Sequence, residues 1–97
     1  MFEIRFTPEA MDDLRSFRNF ERRRIIAGIE EQLSHQPIEQ TRNRKRLRSN
    51  PLAEWELRVD DFRVFYDPDL TPDAVKIVAV ARKQGNKLYI RGQEFEL

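Results

Sequence analysis

The stretch that most restricts the fold is WELRVDDFRVFY, residues 55–66. Trp55, Leu57 and Val59 alternate with Glu56 and Arg58; beyond two aspartates, Phe62, Val64 and Tyr66 alternate with Arg63 and Phe65. A period of two broken by a two-residue turn signal predicts an antiparallel β-hairpin. With Asp60 and Asp61 as the turn, Val59 pairs with Phe62, Arg58 with Arg63 and Glu56 with Phe65. Directly paired residues share a face. One face is therefore apolar (Trp55, Leu57, Val59, Phe62, Val64, Tyr66) and must be covered. The other carries Glu54, Glu56, Arg58, Arg63, Phe65 and Asp67.

The rest of the chain supplies the cover. Phe2, Ile4 and Phe6 alternate with Glu3 and Arg5, the pattern of a short half-buried strand. Thr7, Pro8 and Glu9 read as a helix start, with an N-cap, a proline at the first helical position and an acid at the positive end. Met11, Leu14 and Phe17 would form its apolar stripe. A second helix is predicted over about residues 20–35, with Ile25, Ile26, Ile29 and Leu33 inward and Pro37 as its stop. Helices joined so closely are expected to form an antiparallel hairpin. Residues 75–81 are almost wholly apolar, as in a strand covered on both faces. Leu88 and Ile90 alternate with Tyr89 and Arg91, which allows a further strand. The expected fold is α+β: an N-terminal strand, a helical hairpin, then antiparallel strands in a small twisted sheet with the helices on one face. Ninety-seven residues suit a single domain, 1–97.

Composition removes several function classes. The chain has no cysteine and one histidine, His35, so disulfides, thiolate metal sites and multi-histidine sites are excluded. The N-terminus has no long apolar run, and no stretch approaches a membrane span, so a cytoplasmic protein is expected. The net charge of +1 gives no global attraction to nucleic acid. The distribution says more. Residues 42–48 hold Arg42, Arg44, Lys45, Arg46 and Arg48 with no acid among them. Residues 36–52 show no period and are expected to form a long exposed loop, whose basic patch can hold a polyanion.

The element order and the segment LRVDDFRVFYD, residues 57–67, resemble the RelE/ParE superfamily of type II toxin–antitoxin toxins. Lys45, Arg46 and Leu47 resemble the lysine-and-leucine stretch that often precedes that hairpin. Arg82, Lys83 and Tyr89 resemble the family's basic C-terminal segment ending in tyrosine. The resemblance implies a cognate antitoxin, a hetero-oligomeric toxin–antitoxin complex and no cofactor. In members that cut messenger RNA on the ribosome, Arg63 matches an arginine that binds the scissile phosphate. Lys83 or Arg82 matches a second cation, and Tyr89 a C-terminal tyrosine. The best-known branch has lysines where this chain has Glu54 and Glu56, while another uses a glutamate as general base. Gyrase-directed members share the same fold and act by protein binding.

Metal-free RNA cleavage needs a base for the ribose 2′-OH, fixed cations at the phosphoryl oxygens and an acid at the leaving 5′-oxygen. The residues expected to act are Arg63, Glu56, Lys83 and Tyr89. Arg42, Arg44, Lys45, Arg46, Arg48, Arg58 and Arg82 are expected to contact RNA or the ribosome, with Phe65 as a stacking surface. The plainer reading is that Glu54, Glu56, Arg58 and Arg63 form a solvated strand pair whose ion pairs matter little.

Overall fold

The computed structural model describes residues 1–96. β1 (Glu3–Phe6) is followed by α1 (Pro8–Arg15) and α2 (Asn19–Leu33), then β2 (Arg44–Arg46), β3 (Trp55–Val59), β4 (Phe62–Leu70), β5 (Asp73–Gln84), β6 (Lys87–Ile90) and β7 (Gln93–Phe95). The strands form one sheet in the order β2-β3-β4-β5-β6-β7, with β1 pairing in parallel alongside the first half of β5. That parallel pair requires a crossover, and the connection runs through both helices and then β2, β3 and β4. The two helices lie on one face of the sheet, α1 over β5 and α2 over β3.

The hairpin has the expected register: Val59 opposite Phe62, Arg58 opposite Arg63, Glu56 opposite Phe65. Asp60 takes the left-handed backbone conformation (φ 53°) that aspartate tolerates in tight turns. Its carboxylate receives Arg24 of α2 at 3.0 Å. The apolar face of the hairpin packs with Ala10, Leu14, Ile25, Ile29, Leu33, Val75, Ile77 and Val80 into the main core.

Four local expectations need correction. On α1 the inward stripe is Ala10 and Leu14, while Met11 is exposed and Phe17 half-buried. On α2, Ile26 is exposed although its neighbour Ile25 is fully buried; two adjacent helical positions lie about 100° apart, and only one can face a flat sheet. Residues 36–52 are not one loop, because β2 pairs antiparallel with β3, Lys45 opposite Glu56. The second hairpin face is not simply polar. Phe65 is fully buried there, in a second cluster with Ala53, Ala79, Ala81, Leu88 and Ile90. The sheet therefore has a core on both sides, and Phe65 offers no stacking surface.

α1 starts as its sequence dictates, with the Thr7 hydroxyl accepting from the Ala10 N–H at 3.1 Å. α2 is capped by Glu21, whose carboxylate accepts from the Arg18 N–H at 3.0 Å. Helix and sheet approach tightly at Gly28, where a Cβ would lie 2.9 Å from a Val59 methyl. The β-branched Val59 is stiff about χ1 and cannot turn aside cheaply. Gly28→Ala should therefore lower stability by about 1–2 kcal/mol, despite a gain of about 1 kcal/mol in helix propensity. Urea denaturation with an unchanged slope would register this as a lower midpoint.

Candidate active site

Strand parity decides which basic residues meet. On the face away from the helices, Arg63 on β4, Glu56 on β3 and Lys83 at the end of β5 line one cleft of about 360 Å³, together with Asn86, Leu88, Glu94, Phe95 and Glu96. Arg63 is held hardest. It is 8% exposed, and its Nη1 donates to the carbonyls of Asp60 (3.0 Å) and Phe62 (2.9 Å). A guanidinium carries five N–H donors, so donors remain for a ligand in the cleft. Burial, then the Arg58 charge, push its pKa below the usual arginine value, with Glu56 and Asp61 opposing. Arginine stays charged through such a shift. Glu56 is half-buried and Lys83 exposed, so base and cation stay open to solvent.

The other expected residues lie elsewhere. Because Lys83 pairs with Leu88, Tyr89 and Arg82 project to the helix side. There both line a separate hollow with Asp13, Phe17 and Arg91. Arg82 is paired with Glu21 and sits 4.9 Å from the Phe62 ring centroid. It is a clamp between β5 and α2, and Tyr89 does not reach Arg63's cleft. Arg58 is exposed and lines a groove beside α2 with Arg24, Asn43 and Asp60.

The basic patch divides in the same way. Arg42, Lys45, Arg46 and Arg48 are exposed, but Arg44 is buried. Its Nε donates to the Glu39 carbonyl at 2.9 Å, and its Nη1 to the Gln32 carbonyl at 2.7 Å and the Gln32 side chain at 3.1 Å. The last turn of α2 has no basic residue of its own, so Arg44 supplies the positive charge that a helix C-terminus favours. The expectation that Arg44 binds RNA is therefore corrected. Beside it, the Tyr66 hydroxyl donates to the Pro37 carbonyl at 2.6 Å, and burial raises the Tyr66 pKa.

Sequence reasoning missed Asn86, Glu94, Phe95 and Glu96 as cleft-lining residues. The signal was weak: a short alternation over residues 88–91 followed by Gly92, with no pattern to place the last strand. Among the described residues, no cluster of His, Cys, Asp or Glu is arranged to hold a metal ion. No described helix is long and apolar enough to cross a membrane.

A family model described as ParE toxin of type II toxin–antitoxin system, parDE, matches residues 4–86. The chain belongs to the RelE/ParE toxin superfamily. It is a toxin of a type II toxin–antitoxin system, as the hairpin motif implied. Among solved structures, the toxin resembles a chain of the toxin–antitoxin complex RelBE2 from Mycobacterium tuberculosis. The TM-score is 0.70, with 24% identity, over 84% of this chain and 98% of that one. It also resembles a chain of the archaeal RelE–RelB complex from Pyrococcus horikoshii OT3. There the TM-score is 0.68, with 17% identity, over 88% and 97% of the two chains. At these identities the likeness is one of fold. No curated protein matches.

Two outcomes follow for the toxin. Arg44→Ala should lower stability by about 2–4 kcal/mol, since the buried guanidinium and its two charge-assisted bonds to backbone carbonyls go with it; Arg46→Ala, at an exposed position of the same strand, should change stability by less than about 0.5 kcal/mol. Parallel urea denaturation curves check the pair. The second concerns Asp13, whose carboxylate accepts from the Val80 N–H at 3.0 Å and Arg91 at 2.9 Å. Burial nevertheless pushes its pKa above 3.8. Between 3.8 and the raised value, folded Asp13 holds a proton that the unfolded chain has released. Its contribution is thus present at acid pH and lost as pH rises through the folded value. Asp13→Asn removes it, so the variant should lose more stability than the parent on acidification from about pH 6 to about pH 4. Denaturation midpoints across that range provide the measurement.

Proposed function

We propose that this toxin is a ribosome-dependent messenger-RNA endoribonuclease that needs no metal. The observation that carries the reading is the convergence of Arg63, Glu56 and Lys83 on one polar cleft, each from a different strand of a rigid sheet. Arg63 binds the scissile phosphate through the donors its backbone anchors leave over. Glu56 takes the proton from the ribose 2′-OH, and the 2′-oxygen forms a bond to phosphorus. As the phosphorus–5′-oxygen bond breaks, the Lys83 ammonium stabilises the charge and gives a proton to the leaving oxygen. A 2′,3′-cyclic phosphate remains on one fragment. In this scheme Lys83 takes the part expected of Tyr89, which lies on the other face. The exposed cations Arg42, Lys45, Arg46 and Arg48 hold the ribosomal or messenger polyanion. The toxin then acts in the cytoplasm, where ribosomes are. Its silencing partner is a cognate antitoxin; both solved relatives named above come from complexes, one of them explicitly with RelB.

A second reading, poisoning of DNA gyrase through protein contact, is favoured by the net charge of only +1 and by Glu54 and Glu56 standing where lysines would serve the nuclease. Primer extension on translated messenger RNA after induction, run beside an assay for trapped gyrase–DNA complexes, separates the two. Under the nuclease reading, Arg63→Lys should reduce cleavage about 100- to 1000-fold, because an ammonium cannot reproduce the two-oxygen contact. Arg63→Ala should lose as much activity and also some stability, since the side chain bridges two carbonyls. Glu56→Gln should match the loss while retaining shape. Cleavage at the parent rate by a folded, antitoxin-binding Arg63→Lys protein would move the gyrase reading ahead.

A further inference from the structure

Of the margins of the sheet, β1 is the one left open. The outer side of β2 is closed by its own chain: the Thr41 N–H donates to the Arg44 carbonyl at 2.9 Å, and the Arg46 N–H to the Gln40 side chain at 3.5 Å. β1 pairs with β5 on one side only. Just past its end, the Thr7 N–H donates to the Ile77 carbonyl of β5 at 3.0 Å. The odd-numbered residues of β1 therefore turn their backbone polar groups towards β5, and those of Phe2, Ile4 and Phe6 face outward. The Phe2 N–H is taken by the Ser34 carbonyl at 2.7 Å; among the described residues, no other element bonds Ile4 or Phe6 there. The side chains of Phe2, Ile4 and Phe6 form a rim of the main core and are only half-buried. Glu3 and Arg5 are exposed on the opposite face, paired with each other at 3.1 Å.

The sequence of this edge is its own complement. Laid antiparallel to a second copy about Ile4, FEIRF (residues 2–6) sets Phe2 opposite Phe6, Glu3 opposite Arg5 and Ile4 opposite Ile4. Ile4, with both backbone polar groups outward, makes a hydrogen-bonded pair with its copy. Glu3 and Arg5 then fall at the closer, non-hydrogen-bonded positions, where opposite charges gain most. A slip of two residues puts Glu3 against Glu3 or Arg5 against Arg5, and a slip of one sets apolar residues against charged ones. One register alone is favourable. A two-fold axis normal to the sheet relates the copies, so the helices of both lie on one side, and the half-buried Phe2, Ile4 and Phe6 of each cover those of the other.

We infer that β1 is a self-complementary docking edge for a second copy of this chain, joining two sheets into one. This stands apart from the chemistry of the cleft. The exposed Glu3–Arg5 pair, worth little within one copy, becomes a ring of four alternating charges across the axis. Five paired residues a side bury less than the roughly 800 Å² per partner of a standard interface, so the association is weak, with a dissociation constant on the order of 10–100 μM.

Sedimentation velocity on the full, untagged chain made by cell-free synthesis should show its mass rising from one copy towards two between about 1 and about 200 μM. Glu3→Arg and Arg5→Glu should each weaken association about tenfold or more, because each sets like charges against each other across the axis. Mixed in equal amounts, the two variants should associate as strongly as the parent. So should the double swap Glu3→Arg/Arg5→Glu by itself, since both combinations restore opposite charges. Amide exchange on the parent needs no variant: the Ile4 and Phe6 N–H groups should gain protection as concentration rises, while that of Phe2, already held by Ser34, should not. A parent that stays a single copy throughout overturns the inference. So does a dimer that is indifferent to both substitutions, or one that leaves Ile4 and Phe6 unprotected. Protection of those amides only when an antitoxin is added gives the edge to that partner and overturns the dimer equally.

Discussion

Everything in this molecule hangs on the pairing of β4 with β5. Among the described residues, β5 is the one strand with three partners: β4 on one side, and β1 then β6 on the other. Its first half brings in the N-terminal strand and the helices, and its second half brings in the C-terminal hairpin. Both faces of the β4–β5 pair are buried, by the helices on one side and by the Phe65 cluster on the other. A strand covered on two sides cannot slip in register without turning apolar side chains into polar surroundings. That fixity places a guanidinium at a defined point on a domain of only 97 residues.

The position of Arg63 follows from the same constraint. It lies where the second core gives way to solvent, one residue from the turn. The carbonyls of Asp60 and Phe62 stand close enough to take two of its hydrogen bonds. Its side chain is organised before any ligand arrives, and organisation of that kind makes an electrostatic contact effective. Lys83 owes its place to the adjoining strand end, where its N–H donates to the Asp61 carbonyl at 2.8 Å and ties the strand to the hairpin turn.

The hairpin and its register were legible in the sequence because a period of two and an Asp-Asp turn leave little freedom. The superfamily was legible from the same residues. Other features were not. Arg44 sits in a run of basic residues that reads alike whether a guanidinium points to water or into a helix end. Its partners are backbone carbonyls, which leave no trace in a sequence. The division of Arg82 and Tyr89 from Lys83 depends on the β5–β6 register, and a short alternation does not fix where it starts. Ile26 was misplaced because runs of adjacent apolar residues on a helix do not say which one faces inward; Gly28, close against Val59, sets the helix rotation.

The ordered run of the sheet ends in two three-residue strands of opposite charge. β2 presents Lys45 and Arg46 to solvent, and β7 presents Glu94. Short, charged edges are poor templates for uncontrolled strand addition. They also give the sheet a polarity along its hydrogen-bonding direction, basic at one margin and acidic at the other. A segment that extends the sheet beside β2 must bring acids, and one that extends it beside β7 must bring bases. Two copies of the same strand cannot join edge to edge at either margin without setting like charges against each other.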